Sequence, residues 1–436
     1  MKFKQYIHTA LIAAIVVCST TACKKNFLEV IPKGKLIPTT THDFDMLMNY
    51  SGYYYSRAGF WQPAMLMGDE MAAEIAKFNT TSYLYAGYMF KWQDDIFIAS
   101  AQQSSTSDRP EFLTKALSNI YSLNVIINNV MSASDGTAAE KADIQGQAMA
   151  SRAFINFQLI NYFAKPYTSA TAASDPGFPM ITTDDIRRTD FPRGTVQEAY
   201  DFIVADLQKA IAVLNVSPVL PTRMSKPAAE AMLGKVYLFM GKDAEALSYL
   251  DKALQDVQQM KSKPKLYDYN LTLAPGGSFY PINALNGPNS PFANMTDLTE
   301  SVVARISYAG TSNGVGYPND FLSVTPKTLA LFGDDDRRLL LYSDKQRDLT
   351  PIPMAINGPK RLRKYGLSYA RIGIELPELY LLRAEAFVRT GKLDNAKADI
   401  EYLRMNRMPK TSATVPQTAM KDKTSLLAFI MDERIR

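Results

Sequence analysis

Two cysteines, Cys18 and Cys23, and two histidines, His8 and His42, are all that this 436-residue chain offers for thiol or imidazole chemistry. A Ser-His-Asp or Cys-His arrangement needs an imidazole poised beside a nucleophile. Both cysteines and His8 fall at the extreme N-terminus, which leaves His42, itself close to that end. Zinc sites need clustered Cys and His, and the chain has no such cluster. The carboxylate pair of a glycoside hydrolase is defined by separation in space, and no local motif singles out a pair among the 43 acidic residues. "GDDDRR" (333–338) lacks the alternate-position ligand spacing of a calcium loop. Arg337 and Arg338 would pair with its carboxylates, so it reads as a charged turn. The glycines of "APGGS" and "GVGYPN" match neither a phosphate loop nor a dinucleotide turn. The chain therefore reads as a non-enzyme, with no cofactor and no metal.

Ligand capture is the chemistry that the residues do carry. Sugars present apolar C–H faces and many hydroxyls, so a site for them wants a flat aromatic ring flanked by Asn, Asp, Arg or Gln. Two regions have that mixture. One is "YYYSRAGFW" (53–61), ending in Trp61, with Tyr83, Tyr85, Tyr88 and Trp92 beyond it. The other is a later segment where Tyr280, Tyr308 and Tyr317 stand among Asn and Gly. The candidate contacts are Trp61, Tyr83, Tyr85, Trp92, Tyr280, Tyr308 and Tyr317; for each, core packing is the competing reading. Tyr237 and Phe387 lie on repeat helices and read as core.

The N-terminus reads as an export signal. Lys2 and Lys4 precede an apolar run, "ALIAAIVVC", that is too short to span a bilayer. Thr20, Thr21 and Ala22 then lead to Cys23. This resembles a bacterial lipoprotein signal, in which the cysteine is acylated and becomes the new N-terminus; an ordinary signal peptide with an incidental Cys23 is the alternative. On the first reading Cys18 is discarded with residues 1–22, Cys23 carries lipid, and no thiol is left for a disulfide. Net charge is +5. The one dense basic run, "KRLRK" (360–364), has no nucleic-acid motif around it and reads as a solvated loop or strand edge.

The elements that must position these residues are mainly helices. In "TVQEAYDFIVADLQKAIAVL" (195–214) apolar residues recur on one helical face, and Thr195 and Glu198 are spaced as a capping box. Residues 142–163 form a second helix whose expected buried stripe is Ala150, Ala153, Phe154, Phe157, Ile160 and Phe163. Residues 111–131 form a third. Two later segments, "LGKVYLFMGKDAEALSYLDKA" (233–253) and "RAEAFVRTGKLDNAKADIEYL" (383–403), place small and apolar residues at tetratricopeptide spacing. Small residues let two antiparallel helices approach, and Gly241 and Gly391 permit the tight turns. Residues 255–374 separate the two and are rich in Pro, Gly, Asn and Tyr, a composition of loops and short strands. Irregular insertions on a rigid scaffold are where binding surfaces tend to sit. The fold class is mostly α: a tetratricopeptide-like helical-hairpin scaffold (about 108–254 and 375–436) carrying a long irregular insertion. "TSLLAFIMDERIR" starts a last helix, with Thr424 or Ser425 as its cap.

The order of several segments resembles one family. "CKKNFLEVIPKGKLIPTTTHDFDMLMN" is followed by "GDEMAAE", "KWQDDIF", "NIYSLNVIINNV" and "MASRAFINFQLINYFAKPY". "LFGDDDRRLLLY" and "ELPELYLLRAEAFVRTGKLDNAKADIEYLRMNR" come later. Together they resemble the SusD/RagB family of nutrient-binding lipoproteins of Bacteroidetes outer membranes, from Cys23 to Arg436. The resemblance implies one SusD-like domain over 23–436, an outer-membrane lipid anchor, capture of glycans (or, in some members, peptides), and a SusC-like TonB-dependent transporter as partner. It implies no nucleic-acid partner. Lys24, Lys25 and Asn26 stand where surface-displayed members often have acidic residues, so a periplasm-facing protein-interaction adaptor is the other reading. "MDERIR" matches a family segment that normally continues, so the chain is expected to be truncated or divergent there.

Overall fold

In a computed structural model, residues 38–56, 66–73, 84–94, 111–283, 287–308, 322–344, 362–364 and 369–436 are described. The helices are α1 (Thr41–Leu47), α2 (Leu84–Phe90), α3 (Glu111–Asn129), α4 (Ala138–Phe163), α5 (Val196–Val213), α6 (Lys226–Phe239), α7 (Asp243–Val257), α8 (Tyr269–Thr272), α9 (Pro326–Leu329), α10 (Leu376–Arg389), α11 (Leu393–Met405) and α12 (Lys423–Ile435). The strands are short: β1 (Tyr55–Ser56), β2 (Met71–Ala73), β3 (Ser301–Val303), β4 (Ile306–Tyr308), β5 (Leu322–Val324), β6 (Tyr342–Ser343), β7 (Arg363–Lys364), β8 (Tyr369–Arg371) and β9 (Ile374–Glu375).

Local chemistry starts the helices. The capping box expected at Thr195 and Glu198 is present: Thr195 Oγ1 accepts from the Glu198 N–H, and the Glu198 carboxylate accepts from the Thr195 N–H. Thr137 and Glu140 do the same for α4, which therefore begins a turn before the expected residue 142. Ser225 caps α6, with proline just inside the first turn. The last helix is capped by Asp422, which accepts from the Ser425 N–H, rather than by Thr424 or Ser425. His42 lies on α1, which is docked by Phe44, buried two residues on.

Successive helices pack as antiparallel neighbours, α3 on α4, α4 on α5, α5 on α6, α6 on α7, α10 on α11. Helix α4 is the shared wall. On one face Ala150, Ala153, Phe154, Phe157 and Ile160 join the main core. On the other, Ile144, Ala148, Ile155 and Leu159 pack with Ile120, Leu123 and Ile126 of α3 and Phe44 of α1. Phe163, expected in the buried stripe, is half-buried at the helix end. Arg152 on α4 crosses between the layers, donating to both oxygens of Asp206 on α5 (2.8 and 2.9 Å) and to Asn124 on α3 (2.7 Å).

Both repeat units form helical hairpins, α6–α7 and α10–α11. Gly241 and Gly391 hold their turns at φ +70° and +82°, a region that side chains disfavour. At Gly234 a Cβ would lie 2.6 Å from Leu250 Cγ, so glycine sets the helix separation. Tyr237 and Phe387 are buried in the core, as expected. Residues 255–374 divide the hairpins in sequence, yet α7 packs directly on α10 in space. The insertion therefore bulges from a continuous helical array, closed back at its base by β3 pairing with β9.

Candidate functional site

Of the sequence-selected residues, Cys23, Trp61, Tyr83 and Tyr317 lie outside the described residues. Tyr85 falls in α2 and Tyr308 in β4. Trp92 follows α2 and is 67% exposed, with its backbone at φ +54°. For a bulky non-glycine residue that conformation is costly. Tyr280 is 45% exposed. Its neighbour Phe279 is buried with Tyr269, Leu273 and Leu341, a small core under the insertion that anchors the loop and leaves Tyr280 outside.

The structure joins the two aromatic regions at one sheet. β1, from "YYYSRAGFW", runs parallel to β4, with Tyr55 opposite Ile306 and Ser56 opposite Ser307. β4 pairs antiparallel with β8, which sets Tyr308 opposite Tyr369. The Asn119 side chain of α3 donates to the Gly52 carbonyl (2.8 Å) and Tyr53 is buried, so the N-terminal segment is fixed to the scaffold just before β1.

A cavity of about 540 Å³ opens between the insertion and helices α10 to α12. None of the sequence-selected aromatics lines it; Tyr162, Tyr269, Phe292 and Tyr342 do. Its wall is charged. Glu433 of α12 is ion-paired to Arg338 (2.7 Å), Arg404 (2.6 Å) and Arg436 (2.6 Å). Burial alone would raise the Glu433 carboxyl; the three guanidinium charges outweigh it and hold the carboxyl below its usual value. Arg338 also donates to Asp336, as "GDDDRR" suggested, but that pair is buried. Arg407 pairs with Glu300 at 2.7 Å and lies over the Tyr269 ring at 4.3 Å.

Lys364 brings a further cation into the cavity wall. "KRLRK" reads from sequence as a solvated loop or strand edge; residues 360 and 361 lie outside the described residues, and 363–364 do form a strand but not a solvated one. Instead Arg363 is 2% exposed in β7, which pairs with β6, while Leu362 bridges to Val324. The Lys364 ammonium sits 4.0 Å from the Phe292 ring centroid and 5.9 Å from that of Tyr342. Burial first, and the charge of Arg338 second, pull its pKa down to about 8. Opposite in sense, burial pushes the Glu375 carboxyl up to about 7, although the Ser301 hydroxyl donates to it at 2.7 Å. Only the basic run could have pointed here from sequence, and its neighbours along the chain do not reveal what buries it.

The helical-hairpin array with its β-patched insertion is an architecture shared with proteins of known structure. Residues 27–238 match the SusD-like family, described as "Starch-binding associating with outer membrane". No curated protein sequence matches the chain. In three dimensions it is similar to a SusD superfamily protein of Bacteroides thetaiotaomicron (TM-score 0.65, 20% identity, 91% of this chain and 85% of that one covered). It is similar also to a SusD-like carbohydrate binding protein of Bacteroides vulgatus (TM-score 0.63, 17% identity, 91% and 80% covered). A SusD superfamily protein of Bacteroides fragilis is a third (TM-score 0.61, 14% identity, 91% and 86% covered). At these identities the structural likeness is one of fold. Residues 27–238 thus carry the pattern of the SusD-like family, and the fold of the chain is that of SusD superfamily proteins. Among the described residues no helix is long and apolar enough to cross a membrane.

Proposed function

We propose that this protein captures glycan at the surface of the outer membrane, held there by lipid on Cys23, and passes it to a SusC-like TonB-dependent transporter. On this reading residues 1–22 are removed, 23–436 act as one SusD-like binding domain, and the protein does no covalent chemistry on its ligand. The observation that carries it is Trp92. A large ring that is 67% exposed at φ +54° is held outward against both hydration and backbone preference. Such a cost is accounted for by a ligand that covers the ring. Tyr280, exposed beside a buried anchor, is the second proposed contact; stacking of a sugar face on either ring supplies the apolar part of recognition.

Titration calorimetry against a panel of neutral and acidic oligosaccharides tests this. Trp92→Ala and Tyr280→Ala should each weaken the bound glycan about tenfold, the worth of one stacking contact. Neither change should move the thermal midpoint, because neither ring is in the core. Tight peptide binding with no oligosaccharide bound would place the protein in the peptide-capturing branch. Complete protection from protease on intact cells would overturn surface display in favour of a periplasm-facing adaptor.

A further inference from the structure

The cavity beside α12 is built differently from a stacking site. One face of Phe292 carries Lys364 and one face of Tyr269 carries Arg407, so protein cations already lie where a neutral sugar ring would stack. Most lining cations have a carboxylate at ion-pair distance; among the described residues Lys364 and Arg371 have none, although Glu375 and Asp297 act on Arg371 from further off. Lys364 makes no ion pair among the described residues, and its ammonium is held only by two ring faces. Arg371 donates to the carbonyls of Pro291 (3.0 Å) and Asn294 (2.6 Å), while its Nε is buried with no acceptor. A buried donor without an acceptor is costly unless something fills the place. Carboxylates stand nearby as acceptors. Glu300 uses one oxygen, Oε1, for both Arg407 and the Tyr267 N–H. Its second oxygen is left for a hydroxyl.

We propose that this cavity is a second binding site, for a hexuronic acid residue: Lys364 and the Arg371 Nε take the sugar carboxylate, and Glu300 accepts from a ring hydroxyl. The pairing of cations that lack a contact ion pair with hydroxyl acceptors is what separates an acidic sugar from a neutral one. A volume of about 540 Å³ lies within the range of small-ligand pockets. The low pKa of Lys364, about 8, is consistent with an ammonium that lacks a counter-charge until ligand arrives. This site is separate from Trp92 and Tyr280, so either can fail without the other.

The test uses the full-length protein and digalacturonic acid, with neutral galactobiose and an acidic dipeptide as comparisons, read by titration calorimetry. Digalacturonic acid should bind at least tenfold tighter than galactobiose, and added salt should weaken it. Lys364→Gln should lower that affinity about tenfold, and Lys364→Arg should restore most of it. Lys364→Gln breaks no ion pair among the described residues and removes a buried charge, so a thermal midpoint no lower than the parent's shows that the variant keeps the fold. Equal binding of the acidic and neutral disaccharides, or an affinity unmoved by Lys364→Gln, overturns the proposal. So does tighter binding of the dipeptide.

Discussion

Glu433 holds the end of the repeat array to the insertion, and its replacement gives a sharp test of the packing. The carboxylate is 2% exposed and meets three guanidinium groups at 2.6 to 2.7 Å. Removing one partner of a buried ionic cluster costs about 3–5 kcal/mol. Glu433→Gln belongs at the low end, because every arginine keeps an anchor. Arg338 retains Asp336 (2.7 Å), Arg404 retains the carbonyls of Ser412 (2.8 Å) and Ala413 (2.9 Å), and Arg436 retains that of Leu331 (2.6 Å). The expected loss is about 3 kcal/mol for Gln, rising toward about 5 for Ala, which also removes packing atoms. Urea unfolding at pH 7 reads this directly. The sign with pH follows from the lowered carboxyl pKa. The stabilisation is fully present above the unfolded value of 4.5 and is lost as pH falls through the lower folded value. The gap between parent and Gln variant should therefore close as pH drops below 4.5. A Gln variant within about 0.5 kcal/mol of the parent at pH 7 would refute the reasoning. So would a gap that stays constant on acidification.

Two further changes probe the turn and the cavity wall. Gly391→Ala should cost about 1–2 kcal/mol in urea unfolding. No atom lies within 4 Å of the added methyl, so the whole effect comes from φ +82°. Glu375→Gln should stabilise the protein by about 1–3 kcal/mol at pH 8. Its folded pKa is raised to about 7, so the carboxyl's favourable, protonated contribution is complete below 4.5 and lost as pH rises through 7. The advantage of Gln should disappear below pH 4.5, and a parent that is the more stable at pH 8 would contradict it.

What could be read from the sequence is what neighbours along the chain decide. The Thr195–Glu198 box and the turns at Gly241 and Gly391 each close within a few residues, so spacing reveals them. The cap of α12 shows the limit of that rule. Asp422, Thr424 and Ser425 are all capping residue types, and the helix uses the earliest, because Asp422 reaches the Ser425 N–H at 2.8 Å. Long-range pairings carry no such local mark. β1 meets β4 across some 250 positions of chain, and α7 finds α10 on the far side of the insertion. In both cases burial of apolar faces, not spacing, selects the partner.

The cavity was invisible for the same reason, and Lys364 shows how. A run of five residues with four cations reads as solvated because charge in water costs nothing, whereas charge in a wall costs a partner. That cost is met here from separate stretches of chain. Phe292 and Tyr342 supply ring faces to the ammonium, and the β6 and Leu362–Val324 pairings bury the backbone that carries it. Arg338 and Glu433, far apart in sequence, then settle the charge beside it. Each of these residues alone has an ordinary surface reading. Only their convergence makes Lys364 a buried cation without a contact ion pair, which is why the run reads as part of a cavity wall once the strands around it are known.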